Sequence, residues 1–120
     1  MAAARVILRD RTAVVCERCV VADSPLTRLR GLLGRRELPA GEGLLLRPAG
    51  AVHTSFMRFP IDVVFLDREL TVVGHVDGLR PWRAAGRRGA RAVLELAAGE
   101  RARRAIAAGD RLALVDGTAP

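Results

Sequence analysis

IDVVFLDRELTVVGHV, residues 61–76, is the stretch that decides the fold. It holds two β-branched and aromatic runs separated by Asp67-Arg68-Glu69. The pattern predicts a hairpin, with strands over 61–67 and 69–76 and a tight turn between them. Alternation puts Ile61, Val63 and Phe65 on one face of the first strand, and Asp62, Val64 and Leu66 on the other. Both faces are apolar except at Asp62, which predicts a central strand covered on both sides.

Further extended runs lie on either side of this hairpin. RVIL (5–8), TAVVCERCVVA (12–22) and GLLLRP (43–48) precede it, and ARAVLELAAG (90–99) and RLALVD (111–116) follow. SPLTRLRGLLGR (24–35) predicts a short N-terminal helix. Ser24 caps it, Pro25 takes the first position, Leu26, Leu29, Leu32 and Leu33 share a face, and Gly34 stops it. ERARRAIAAGD (100–110) predicts a single helical turn ahead of Gly109. The fold class expected is mainly β, at the border of α+β. It is a compact antiparallel β-sandwich or open barrel of about six to seven short strands, with one N-terminal helix and one short C-terminal helix.

The 120 residues suit a single domain, 1–120, and half of them are apolar, enough for a core without metal or disulfides. No run of 18 apolar residues occurs, so no membrane span is expected. Arg5, Arg9 and Asp10 interrupt the start of the chain as a signal peptide, which predicts a cytoplasmic protein with reduced cysteines.

The net charge of +7 rests on 20 basic residues that are all Arg, with no Lys, Asn, Gln or Tyr. These arginines are mostly dispersed, and three Phe and one Trp supply little for base stacking. Composition therefore argues against nucleic acid as the partner. The loop with Arg83, Arg87, Arg88 and Arg91 is the place where a weak nucleic-acid or anionic-surface contact would form.

Five pieces carry a family resemblance: TRLRGLLGR, EGLLL, VHTSFM followed by PIDVVFLD, VLEL, and the closing AAGDRL. In this order and spacing, over roughly residues 13–115, the chain resembles the uncharacterised prokaryotic family called domain of unknown function 192. The resemblance implies a compact, mainly β, sandwich-like fold with a helix near the N-terminus, and no established activity. Many family members have Trp before the Met and Lys-Asn after it, where this chain has Phe56 and Arg58-Phe59. Many also carry an export signal, so an envelope role transfers poorly to this sequence.

The polar residues of HTSFMRFPID need a reason. His53, Thr54, Ser55 and Arg58 crowd around Phe56, Met57 and Phe59, and Asp62 lies inside a core strand. Glu95 poses the same problem between Leu94 and Leu96. A buried carboxylate requires a cation or several donors. Arg58, or Arg28 and Arg30 on the predicted helix, are the candidate structural ion-pair partners.

Two roles follow for this segment. A structural clamp would tie helix to sheet through these pairs. A binding site would use His53, Thr54, Ser55, Met57, Arg58, Asp62 and Glu95, with Arg58 on a small anionic ligand or a protein partner. That second role makes the chain a small β-rich binding or accessory domain. The alternative is a hydrolase- or isomerase-like enzyme with His53 as base and Asp62 orienting it.

No cofactor and no metal are expected. Cys16 and Cys19 form a single CxxC, and His53 and His75 do not follow zinc spacing. On a regular strand, residues three apart face opposite ways, which opposes both chelation and a disulfide. His75 reads as a half-buried strand residue. Trp82 reads as a cover over one end of the core, or as a partner anchor.

Overall fold

The structure is a computed structural model that describes residues 2–8, 13–23 and 35–116. It is mainly β. Its strands are β1 (Ala2–Leu8), β2 (Val14–Ala22), β3 (Glu42–Leu46), β4 (Ala51–His53), β5 (Ile61–Leu66), β6 (Val72–Leu79), β7 (Ala84–Gly86), β8 (Ala92–Ala97) and β9 (Leu112–Asp116). The described helix is the single turn α1 (Glu100–Arg103), at the position expected for the short C-terminal helix. The expected N-terminal helix over 24–34 lies outside the described residues, as do Arg28 and Arg30.

Seven strands form one sheet in the order β6-β5-β8-β3-β2-β1-β9, and β4 and β7 form a separate pair. The hairpin is present: β5 pairs antiparallel with β6. Asp67 closes its turn by accepting the backbone N–H groups of Glu69 (2.8 Å) and Thr71 (2.9 Å). All six residues of β5 are buried, as a central strand demands.

The expectation of an all-antiparallel sheet is corrected at one pair, since β2 and β3 run parallel. Residues 23–41 separate them, which is the length of connection a parallel crossover needs. The outermost strands also meet. An antiparallel bridge joins Thr71 to Arg111, and Val72 and Leu112 donate to the carbonyls of Asp110 and Leu70.

Each face of the sheet is apolar. Val64, Leu66, Leu94 and Leu96 build one core with Cys16, Cys19, Ile106 and Leu112. Ile61, Val63, Phe65 and Val93 build the other with Leu44, Leu46 and Met57. Among the described residues, no helix is long and apolar enough to cross a membrane.

Candidate functional site

Asp62 sits on β5 where β6 bulges. Ile61 pairs with Leu79 and Val63 with Val76, so Asp77 and Gly78 together face Asp62. Gly78 takes the left-handed conformation (φ 61°) and donates its N–H to Asp62 Oδ1 at 2.9 Å. Oδ2 accepts the backbone N–H groups of Gly99 and Arg101, both at 2.9 Å. A buried carboxylate with three N–H donors is paired as the physics requires. The expected Arg28 and Arg30 lie outside the described residues, and the partners seen differ from the expected Arg58. They are backbone amides of a bulge and of the α1 start, while Arg58 is exposed.

Arg101 extends this cluster outward. Its guanidinium grips Asp77 with two bonds, 3.0 and 2.6 Å, and His75 Nδ1 lies 2.9 Å from the same carboxylate. The Arg101 hydrogen bond, and the positive charges around it, hold Asp77 below the usual carboxylate range. His75 is half-buried, as read from the sequence. The Asp77–Arg101 grip was not legible there, because its members lie 24 residues apart.

Glu95 takes the opposite face of the sheet. It pairs with Val63 on β5 and Leu44 on β3, both in the second core, whereas Asp62 pairs with Leu96 in the first. The two acids therefore do not share a site. No hydrogen bond or ion pair to the Glu95 carboxyl forms among the described residues. Desolvation alone raises its pKa to about 7, so the group keeps its proton below neutral pH where other carboxyls have lost theirs.

Residues 53–60 divide into anchors and an exposed face. Thr54 is completely buried. Its hydroxyl donates to the Arg80 carbonyl and accepts the Arg83 N–H at 2.9 Å, while its own N–H reaches the Arg83 carbonyl at 2.8 Å. Its carbonyl accepts two N–H groups, from Met57 (3.1 Å) and Trp82 (3.0 Å). Thr54 thereby ties this turn to residues 80–83, next to the β4–β7 pair. Met57 is buried in the second core, Phe59 packs against it, and Ser55 is half-buried.

The exposed face of this turn is unusual. Phe56 and Trp82 both adopt left-handed backbone, φ 67° and 64°. Bulky side chains pay on the order of 1–2 kcal/mol for that conformation. Their rings meet at 4.6 Å with a 60° tilt, and they remain 69% and 59% exposed. Trp82 therefore does not cover the core. His53, Arg58, Arg80 and Arg83 are exposed on the same two segments. None of these arginines is ion-paired with an acid among the described residues.

A cavity of about 670 Å³ lies elsewhere, lined by Arg47, Arg68 and Arg91 together with Asp23, Asp67 and Glu69. Its charges are mixed, and of the residues singled out in the sequence it takes Arg91 and the hairpin turn Asp67-Arg68-Glu69 but none of the candidate site residues. Among the described residues, no group of three or more His, Cys, Asp or Glu could hold a metal ion.

The fold and these residues can be set against known proteins. No curated protein matches the chain. A crystal structure of a putative transcription regulator from Sinorhizobium meliloti is similar at TM-score 0.80 and 25% identity, covering 93% of this chain and 92% of that one. A protein of unknown function from Novosphingobium aromaticivorans is similar in fold at TM-score 0.78 and 24% identity, over 92% of this chain and 83% of that one. The family model for domain of unknown function 192, described as an uncharacterized ACR, matches residues 6–114. With nearly its whole length matched, the chain belongs to the domain of unknown function 192 family.

Proposed function

We propose that this chain is a single binding domain that docks an acidic, partly apolar protein segment on the Phe56–Trp82 surface. The observation that carries it is the pair of contacting, exposed aromatics on strained backbone. Strain of this kind persists only where surrounding bonds over-determine it, and Thr54 supplies those bonds. Exposed aromatics beside arginines form the usual energetic centre of an interface. Arg58, Arg80 and Arg83 supply charge for carboxylates, and His53 and Ser55 add polar contacts at the rim. Met57, buried in the second core, and Thr54 anchor this surface from below.

Nucleic acid is the competing partner, since the similar Sinorhizobium meliloti structure bears the description putative transcription regulator. The ring geometry favours protein. Two rings tilted at 60° against each other leave no parallel slot for a base. Arg87, central to the arginine-rich loop, already lies over the sheet: a Cβ on Gly74 would meet its guanidinium carbon at 2.8 Å.

The setting inferred is cytoplasmic, a compartment that would keep Cys16 and Cys19 reduced at rest. The Thr71–Arg111 bridge supports closure of the main sheet into an open barrel.

Trp82 is the sole tryptophan, so its emission reports this surface directly. Titration with a synthetic peptide alternating Glu with Leu and Phe should shift that emission saturably, and replacing Arg58, Arg80 and Arg83 by Ala should weaken it. A single-stranded oligonucleotide and a Lys-for-Glu peptide should not. No response to the acidic peptide at millimolar concentration, or a response to the oligonucleotide alone, would refute the proposal.

A further inference from the structure

Cys16 and Cys19 do not face opposite ways. Ala4 of β1 pairs with Cys19 and Val6 pairs with Cys16, so three steps along β2 are matched to two along β1. This bulge turns Glu17 and Arg18 out to solvent and both cysteines inward. Both are 0% exposed and belong to the same core.

The bulge also shortens the pair. Regular strand geometry would separate the two Cα atoms by about 10 Å, whereas a span matched to two residues of β1 is about 6.6 Å. Disulfides close at Cα separations of about 4.4–6.8 Å, which three residues of regular strand exceed and a bulged span approaches. Gly43 is the register partner of Cys19, and a Cβ there would lie 2.9 Å from Cys16 Sγ. The Cys16 sulfur thus occupies the space beside Cys19 that a larger residue on β3 would fill.

The surroundings of the two thiols differ. The Cys16 thiol donates to the Gly41 carbonyl at 3.4 Å and the Cys19 thiol to the Val20 carbonyl at 3.8 Å. Arg104, half-buried and ion-paired with Glu17 and Glu100, donates to the Val14 carbonyl at 3.0 Å. The adjacent Cys19 thiol, and next the Arg18 backbone N–H, hold the Cys16 pKa below the ordinary thiol value against burial and the Glu17 charge, while the Cys16 contact and burial raise Cys19.

We infer that Cys16 and Cys19 form a peroxide-oxidisable dithiol, with Cys16 the attacking sulfur and Cys19 the resolving one. The Cys16 thiolate attacks one oxygen of hydrogen peroxide; an S–O bond forms, the O–O bond breaks, and the departing hydroxide is protonated to water. The product is a sulfenic acid. Cys19 sulfur then attacks Cys16 Sγ. The S–S bond forms, the S–O bond breaks, and hydroxide leaves with the Cys19 proton as a second water. Two thiols lose two electrons and one peroxide gains them. Hydrogen peroxide is near water in size, which suits a buried pair reached through brief openings of the strand.

The test is intact-mass analysis of the full chain after peroxide treatment, quenched and labelled with maleimide in denaturant without reductant. The expected result is a loss of about 2 Da, with neither cysteine labelled, reversed by dithiothreitol in denaturant. Two maleimide adducts after treatment, or added oxygen on one cysteine with the other still labelled, would overturn the inference. Cys19→Ser should leave a Cys16 sulfenic acid that dimedone traps, and absence of that adduct would overturn the assigned order. The wild-type measurement stands if this variant does not fold.

Discussion

Asp62 and Arg101 are joined by a 2.9 Å hydrogen bond from the Arg101 backbone N–H to Oδ2, across 39 residues of sequence. The same oxygen accepts Gly99, so one strand carboxylate satisfies the start of α1, where amides have no intrahelical partner. The other oxygen holds the β6 bulge at Gly78. A buried acid in the central strand is therefore the joint between the hairpin and the C-terminal turn.

Asp62→Ala should cost on the order of 3 kcal/mol or more, because it leaves three amide donors without their acceptor. Asp62→Asn keeps one acceptor oxygen and should cost less. Urea unfolding of the two variants against wild type measures this order, and equal stability of Asp62→Ala and wild type would contradict it.

Glu95 makes stability fall as pH rises. Its folded pKa of about 7 lies above the ordinary 4.5, so the folded state holds a proton that the unfolded state has released. The contribution is fully present below about pH 4.5 and is lost between there and about pH 7, amounting to about 3 kcal/mol at the upper end. Glu95→Gln should flatten this slope and exceed wild type at pH 8. Denaturant midpoints at pH 5 and pH 8 give the comparison.

An opposite slope belongs to Glu100 and Glu17. Hydrogen bonds from Arg103 and Arg104, respectively, hold these carboxyls below 4.5. Depressed groups stabilise above their unfolded pKa, so this contribution is lost as pH falls below about 4.5. Arg104→Met should cost more stability at pH 7 than at pH 2, where wild type has already lost this contribution, so the variant's stability should depend less on pH. Unfolding followed by circular dichroism from pH 7 to pH 2 reads the difference.

Thr54→Val removes the hydroxyl that bonds Arg80 and Arg83 but keeps the side-chain shape. It should cost about 1–3 kcal/mol. It should also change Trp82 emission, because residues 80–83 lose their tie to the turn carrying Phe56. Thr54→Ser retains the hydroxyl and should preserve the emission spectrum.

Gly43→Ala places a methyl group 2.9 Å from both Cys16 Sγ and the Glu95 backbone oxygen. The backbone contact cannot rotate away, so a loss of about 1–3 kcal/mol is expected in thermal unfolding.

Much of this architecture was legible in one dimension. The hairpin, the strands over 14–22, 42–46, 92–97 and 112–116, and the single turn at 100–103 all follow local periodicity and turn residues. The segment 53–60 was singled out by its polar crowding, yet its division into buried Thr54 and Met57 and exposed His53, Phe56 and Arg58 was not visible. Strands β4 and β7 were missed because three residues each are too short to show a period.

By itself the sequence determined where backbone runs extended and that Asp62 and Glu95 would need an answer to burial, since both follow from neighbours along the chain. Tertiary structure alone decided what those answers are: three amides for one acid, a retained proton for the other. It also decided that Cys16 and Cys19 share a core, that β2 meets β3 in parallel, and that Trp82 stands out in solvent against Phe56. Each depends on contacts between segments far apart in sequence, and on bulges that reverse the facing local alternation assigns.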